Sequence, residues 1–206
     1  MSAPTPVSAL RPAVFIDKDG TLVENVPYNV DPAKLKFMPG AFEALAALSW
    51  AGFALVVVSN QSGIGRNIFT RGEFVRLQQV LEQRLLDEAG VRLDDFLVCP
   101  HAPDGDERPA CTCRKPAPGL LLAAAREHGI DLPSSWIVGD KLDDVEAGRR
   151  AGCFSALLDS GGETAWRRSP LRRPDIHCFG WTEVLAAVLG GTSSGADTGA
   201  DRILLA

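Results

Sequence analysis

Asp17-Lys18-Asp19-Gly20-Thr21 closes the apolar run Ala13-Val14-Phe15-Ile16. If that run is a strand, Asp17 and Asp19 share a face and start about 6–7 Å apart. Gly20 then lets the chain turn away at once. Two carboxylates at a strand mouth can hold a hard cation such as Mg2+ through oxygen ligands. They can also divide labour, one as nucleophile and the other as acid and base. A polar strand end with an Asp-Gly turn has the same composition, so the other reactive residues must be weighed with it.

Ser59 follows the apolar stretch Phe53-Ala54-Leu55-Val56-Val57-Val58. A hydroxyl beside backbone N–H groups can cradle a phosphoryl oxygen; a satisfied hydroxyl at a strand end fits equally well. Arg114-Lys115-Pro116 precedes a helical pattern. Lysine offers a phosphate a point charge and arginine a bidentate fork, while a solvated basic pair is the plain alternative. Gly139-Asp140-Lys141 follows Trp136-Ile137-Val138, which places Asp140 where it can complete a cation site with Asp17. Asp143 and Asp144 fall in the first turn of the next helix, where acids favour the helix dipole. That role is expected of them rather than direct metal ligation.

Cys99-Pro100-His101 and, nine residues on, Cys111-Thr112-Cys113 form a C-x-H…C-x-C pattern. Three thiolates and an imidazole make a closed tetrahedral Zn2+ site, structural rather than catalytic. Pro100, Pro103, Gly105 and Pro109 mark the stretch as a loop rather than a core segment. A zinc staple at 99–113 would fix the arm that delivers Arg114 and Lys115. Cys153, Cys178, His128 and His177 lack such a setting and read as ordinary residues. Five cysteines, an odd number with two in a C-x-C pair, speak against a disulfide framework.

The elements that must position these groups follow from periodicity. Strands are predicted at 13–16, 53–58, 96–98, 136–138, 154–158 and 175–179. Helices are predicted at 41–50, 70–89, 118–128, 142–151 and 182–189. Residues 24–39 read as loop and 99–116 as irregular. Glu73 stands three residues after Thr70, the signature of a capping box. Strands alternating with helices imply an α/β, Rossmann-like parallel sheet with helices on both faces. In such sheets ligands gather at carboxyl strand ends near the switch in strand order. Asp17, Asp19, Ser59 and Asp140 all fall at such ends.

With 206 residues, the chain suits a single α/β domain at 13–189, between a loose leader at 1–12 and a Gly/Ser-rich flexible tail at 190–206. A net charge of −5 gives no sign of a basic nucleic-acid footprint. No apolar run reaches the length of a membrane span, and residues 1–12 lack the charged-then-apolar order of a secretion signal. The expectation is a cytoplasmic monomer that binds neither nucleic acid nor membrane.

Taken in order, D-x-D-G-T, a strand-end Ser, a Lys before a helix and a strand-end Gly-Asp resemble the haloacid dehalogenase phosphatase superfamily over residues 13–158. The resemblance implies that Asp17 is a nucleophile forming an aspartyl-phosphate. Asp19 would protonate the leaving alcohol and then activate water, and Ser59 and Lys115 would hold the transferring oxygens. Mg2+ would sit between Asp17, the Asp19 backbone carbonyl and Asp140. The zinc pattern of Cys99, His101, Cys111 and Cys113 narrows the resemblance, together with Asn60-Gln61-Ser62-Gly63-Ile64, Arg114-Lys115-Pro116-Ala117-Pro118-Gly119 and Gly139-Asp140-Lys141-Leu142. It points to the branch holding the D-glycero-D-manno-heptose 1,7-bisphosphate 7-phosphatases and the histidinol-phosphate phosphatases, and leans to the former. The implied partner is a small phosphorylated metabolite, a sugar bisphosphate, touched by Asn25, Tyr28, Asn60, Gln61, Ser62, Arg114 and Lys141. Histidinol phosphate or another small metabolite is the alternative substrate. A receiver-type phosphoacceptor module is the remote alternative; it needs no zinc loop and carries its acceptor Asp on a middle strand.

Overall fold

The structure, a computed structural model, describes residues 10–103 and 111–191. The elements in chain order are β1 (Ala13–Ile16), α1 (Ala41–Trp50), β2 (Ala54–Asn60), α2 (Ser62–Gly65), α3 (Arg71–Ala89) and β3 (Asp95–Cys99). They continue with α4 (Gly119–His128), β4 (Trp136–Gly139), α5 (Leu142–Ala151), β5 (Phe154–Leu158), β6 (Ile176–Cys178) and α6 (Trp181–Gly191). The strands make one parallel sheet in the order β3-β2-β1-β4-β5-β6.

Every residue of β1 is buried, as are the first six of β2. Continuous apolar runs of this kind form strands that are covered on both faces. Val14, Ile16, Leu55 and Val57 pack on one side against α1, α3 and α6 through Leu45, Leu77, Leu81 and Trp181. Phe15, Val56 and Val58 pack on the other side with Leu121 and Ala124 of α4 and Ala147 of α5. At the start of α3, Thr70 Oγ1 accepts from the Glu73 backbone N–H (3.2 Å), and Glu73 Oε2 accepts from the Thr70 backbone N–H (2.7 Å). This is the predicted capping box.

Strand β1 pairs with β2 on one side and β4 on the other. The chain therefore leaves β1 in one direction and later returns to its opposite flank. A crevice opens where the two connections part, at the carboxyl ends of β1 and β4. The Asp17 backbone N–H donates to Val138 O at 2.9 Å, which sets the first acid beside the end of β4. From the far face, Trp181 Nε1 donates to Thr21 O at 2.9 Å and ties α6 to the turn after Asp19.

Several local expectations differ from what forms. Strand β2 runs on through Ser59 to Asn60. The helix α2 escaped notice because two of its four residues are glycines, poor helix formers. Packing explains them: a Cβ on Gly63 would stand 2.0 Å from the Phe69 ring, and one on Gly65 would stand 2.6 Å from Pro100 O. The 24–39 loop contains a 3-10 turn at Pro32–Lys34, capped by Asp31, whose carboxylate accepts from the Ala33 N–H at 3.0 Å. The expected loose leader is already fastened at Arg11, whose N–H donates to Gly129 O (3.1 Å) and whose carbonyl accepts from the Asp131 N–H (2.9 Å). Residues 1–9 of that leader and 192–206 of the expected tail lie outside the described residues. No helix among the described residues is long and apolar enough to cross a membrane.

Candidate active site

Lys115 is the buried hub of the crevice. Its Nζ lies 2.5 Å from Asp17 Oδ1, 2.6 Å from Asp144 Oδ1 and 2.7 Å from Val58 O. Burial alone would lower its pKa; Asp144 and Asp17 outweigh that and raise it above the ordinary lysine value. The ammonium is therefore a fixed positive charge. Its backbone is fixed too: the Asn60 side-chain amide donates to Lys115 O (3.0 Å) and accepts from the Lys115 N–H (3.1 Å).

A carboxylate oxygen from each of Asp17, Asp140 and Asp144 lies within 4.8 Å of the other two. Burial raises Asp17 to about 7; Lys115 opposes that rise, while Asp144 and Asp19 add to it. Burial likewise raises Asp140 to about 8, reinforced by Asp17 and Asp144. Asp140 Oδ2 is buried without a hydrogen-bond partner, a rare condition for a polar atom inside a protein. Gly20 and Gly162 make room for it, since a Cβ would stand 2.3 Å from that oxygen at Gly20 and 1.7 Å at Gly162. Crowded acids with an unsatisfied oxygen are the donor set that a hard divalent cation takes. The residues fit Mg2+.

Asp19 faces the same space but is held separately. Its carboxylate pairs with the Lys18 ammonium and accepts from Gln61 Nε2 at 2.9 Å. Gln61 Nε2 also donates to Ser59 Oγ at 2.8 Å, so one amide positions both the second acid and the strand-end hydroxyl. Lys18, only 2% exposed, is part of this arrangement.

Cys99, His101, Cys111 and Cys113 gather into one cluster. The sulfur separations are 3.5, 3.2 and 3.3 Å, and His101 Nδ1 lies 3.4 Å from Cys99 Sγ and 3.3 Å from Cys113 Sγ. Burial pushes the Cys99 thiol well up. In Cys111 burial is outweighed by hydrogen bonds from Cys113 and from the Arg114 backbone, and its thiol falls to about 7. The cluster abuts the arm to Lys115: the Arg114 N–H donates to Cys111 Sγ, and Arg114 Nη1 to His101 O, both at 3.3 Å.

These groups surround a cavity of about 360 Å3. Asp17, Asp19, Ser59, Lys115 and Asp140 line it, and so do Asn25, Tyr28, Asn60, Gln61, Ser62, Arg114 and Lys141. Tyr28 sits half-exposed at left-handed φ +55°. Lys141 Nζ donates to Gly162 O at 2.7 Å.

Two contributors departed from expectation or escaped it. Asp144 does more than serve the first turn of α5. Its Oδ2 does cap the Lys141 N–H (3.2 Å), but its Oδ1 binds Lys115 and it is only 3% exposed. The signal was the Gly139-Asp140-x-x-x-Asp144 spacing: one helical turn brings the second acid back over Gly139, where a Cβ would stand 2.3 Å from Asp144. Asp143 does face Arg172 (2.6 Å) instead of the cation cluster. Gly162 arrives from the distant β5–β6 connection, and no local pattern marks it.

A family model described as HAD-hydrolase-like matches residues 112–183. The chain is 44% identical over 155 residues to the D-glycero-beta-D-manno-heptose-1,7-bisphosphate 7-phosphatase of Photorhabdus laumondii, covering 74% of this chain and 82% of that protein. The chain belongs to the haloacid dehalogenase-like phosphatases. The Escherichia coli K12 protein of the same description is 41% identical, over 74% of this chain and 81% of its own length. Among solved structures, this phosphatase superposes on the D,D-heptose 1,7-bisphosphate phosphatase of B. bronchiseptica, complexed with magnesium and phosphate. The TM-score is 0.71 at 28% identity, covering 87% of this chain and 99% of that one.

Two measurements check this geometry. Asp144→Asn removes one of the two anions that hold Lys115. Its kcat should fall about 100-fold or more with a much smaller change in KM; an unchanged kcat would remove Asp144 from the machinery. The second concerns pH. Asp17 and Asp140 titrate above their unfolded value of 3.8. The stability they contribute is full below that value and is lost as pH rises through about 7 and about 8. Mg2+ should therefore raise the melting temperature of metal-free protein more at about pH 8 than at about pH 5. Asp140→Asn should flatten that difference, and equal shifts at both pH values would reject the cation site.

Proposed function

We propose that this phosphatase removes the 7-phosphate of D-glycero-D-manno-heptose 1,7-bisphosphate, with Mg2+ in the acidic crevice and Zn2+ in the cysteine cluster. The observation that carries the reading is the single cavity in which Asp17, Asp19, Ser59, Lys115 and Asp140 meet Arg114 and Lys141. The acids and Lys115 suit phosphoryl transfer, and the two further cations suit a substrate with a second phosphate. The named relatives at 44% and 41% identity support the choice of sugar.

Asp17, Asp140 and the Asp19 carbonyl would hold Mg2+, which would supply countercharge for the carboxylates and for the phosphoryl oxygens. Ser59 donates to one of those oxygens and the Lys115 ammonium sets its positive charge beside them, which together fix the phosphorus in front of Asp17. An Asp17 carboxylate oxygen attacks phosphorus. The phosphorus–oxygen bond to the sugar breaks, and its electron pair passes to the leaving oxygen, which takes the proton of Asp19. Water then attacks the phosphorus of the aspartyl-phosphate, and Asp19, now a carboxylate, accepts the proton. Phosphate leaves and Asp17 is regenerated. Gln61 and Lys18 keep Asp19 in line for both transfers, because each contacts its carboxylate.

The cysteine cluster supports the zinc reading: four ligand atoms of the right kind converge, and the arm to Lys115 hangs from them. Zn2+ held there would act on stability and on the placement of Lys115, without touching the substrate.

Phosphate release from the heptose bisphosphate should exceed release from histidinol phosphate by at least about tenfold in kcat/KM, and Asp17→Asn should abolish both. The opposite preference would reassign the substrate, and turnover by Asp17→Asn would reject the nucleophile. Cys111→Ser should lose bound zinc and lower the melting temperature; a zinc-free variant as stable and active as the parent would reject the staple.

A further inference from the structure

Parallel neighbours are ordinarily joined through a helix, yet β5 and β6 are joined by residues 159–175 with only a 3-10 turn at Pro170–Arg172. Connections of that length inside a compact fold usually carry a function. This one passes the carboxyl end of β4 and lays Gly162 against Asp140, so closely that a Cβ there would stand 1.7 Å from Oδ2. Gly20 closes on the same oxygen from the turn after β1. Asp140 is 1% exposed and its Oδ2 has no hydrogen-bond partner. That oxygen is confined by backbone packing rather than by donors.

A cover of this kind must itself be fastened, and two side chains do so. Lys141 Nζ donates to Gly162 O at 2.7 Å, but Lys141 is exposed and lines the catalytic cavity, where an anion would compete for it. Glu163 has no such second duty, since it lies outside that cavity lining. Its Oε2 accepts from the N–H of Leu142, the first residue of α5, at 2.9 Å, and its Oε1 accepts from the Ala165 N–H at 2.8 Å. Burial would raise the Glu163 pKa; backbone donors at Leu142 and Ala165, helped by the Lys141 charge and the Trp166 N–H, outweigh it and hold the carboxyl below the ordinary glutamate value. The negative charge is favoured at the N-terminus of α5. One carboxylate thus ties the residue next to Gly162 to a residue two positions after Asp140.

A carboxylate that waits in its binding orientation holds a cation more tightly than one that must first be ordered, and groups that orient a ligand are worth about 10–100-fold in metal affinity. We propose that Glu163 is a positioning residue for the cation site: it latches the β5–β6 connection over Asp140 and so keeps that carboxylate turned toward Asp17. Glu163 touches neither cation nor substrate and acts through Gly162 and the first turn of α5. The inference rests on the magnesium reading proposed above and extends it to a residue that no strand end or acidic motif marks.

Direct binding of Mn2+ in place of Mg2+, read by electron paramagnetic resonance on the full chain at about pH 8.5 so that protons compete little for the acids, tests it. Glu163→Gln should weaken Mn2+ by about tenfold or more and raise the Mg2+ concentration for half-maximal activity by the same factor, while kcat at saturating Mg2+ stays within about twofold. Gly162→Ala sets a methyl group against Asp140 and should weaken Mn2+ as well; it carries the test alone where Glu163→Gln does not fold. Glu24 is an exposed acid that lines a neighbouring cavity with Asp140 and Gly162. Glu24→Gln removes the same charge without cutting the latch and should leave Mn2+ affinity within about twofold. Unchanged Mn2+ affinity in folded Glu163→Gln or in Gly162→Ala would overturn the proposal. So would an equal loss in Glu24→Gln, which would make charge rather than position the cause. Absence of Mn2+ binding to the parent would remove the magnesium reading itself, and this inference with it.

Discussion

One buried ammonium organises this molecule. Lys115 Nζ is enclosed by Asp17, Asp144 and a carbonyl of β2, with 2% of the residue exposed. A charge stripped of water is tolerable only among partners, and removing one partner of a buried pair costs about 3–5 kcal/mol. The three elements supplying those partners, the end of β1, β2 and the first turn of α5, are thereby held to one point. Neither acid can swing away without leaving a cation unpaired, so Asp17 is held in place before any ligand arrives.

The sheet order explains how residues this far apart in sequence meet. Strand β1 lies between β2 and β4, so its carboxyl end faces both the hydroxyl strand and the second acidic strand. Gly20, Gly139 and Gly162 leave space for carboxylates that side chains would otherwise fill. The arm to Lys115 comes from beyond the sheet edge at β3. It is fixed there at both ends, by the cysteine cluster and by the paired hydrogen bonds of Asn60.

The sheet and the helices around it were legible because apolar runs bounded by turn residues and caps are local signals. Asp17, Asp19, Ser59 and Asp140 were legible for a related reason: they sit at strand ends, where a polar residue after an apolar run stands out, whereas Asn25, Tyr28, Arg114 and Lys141 came as substrate contacts only with the family resemblance. Asp144 was undervalued because a first-turn acid already has a sufficient local explanation; its second bond, to Lys115, exists only once the sheet is assembled. Helix α2 was hidden by its glycines, whose reason is the approach of Phe69 and Pro100. The role of Gly162 depends on a long connection folding back over Asp140, for which neither periodicity nor composition gives a sign.

The hydrogen bond from Trp181 to the carbonyl of Thr21 joins the first catalytic turn to the last helix. The two groups are 160 residues apart in the chain, so the turn that carries Asp19 is fastened only when the final helix docks.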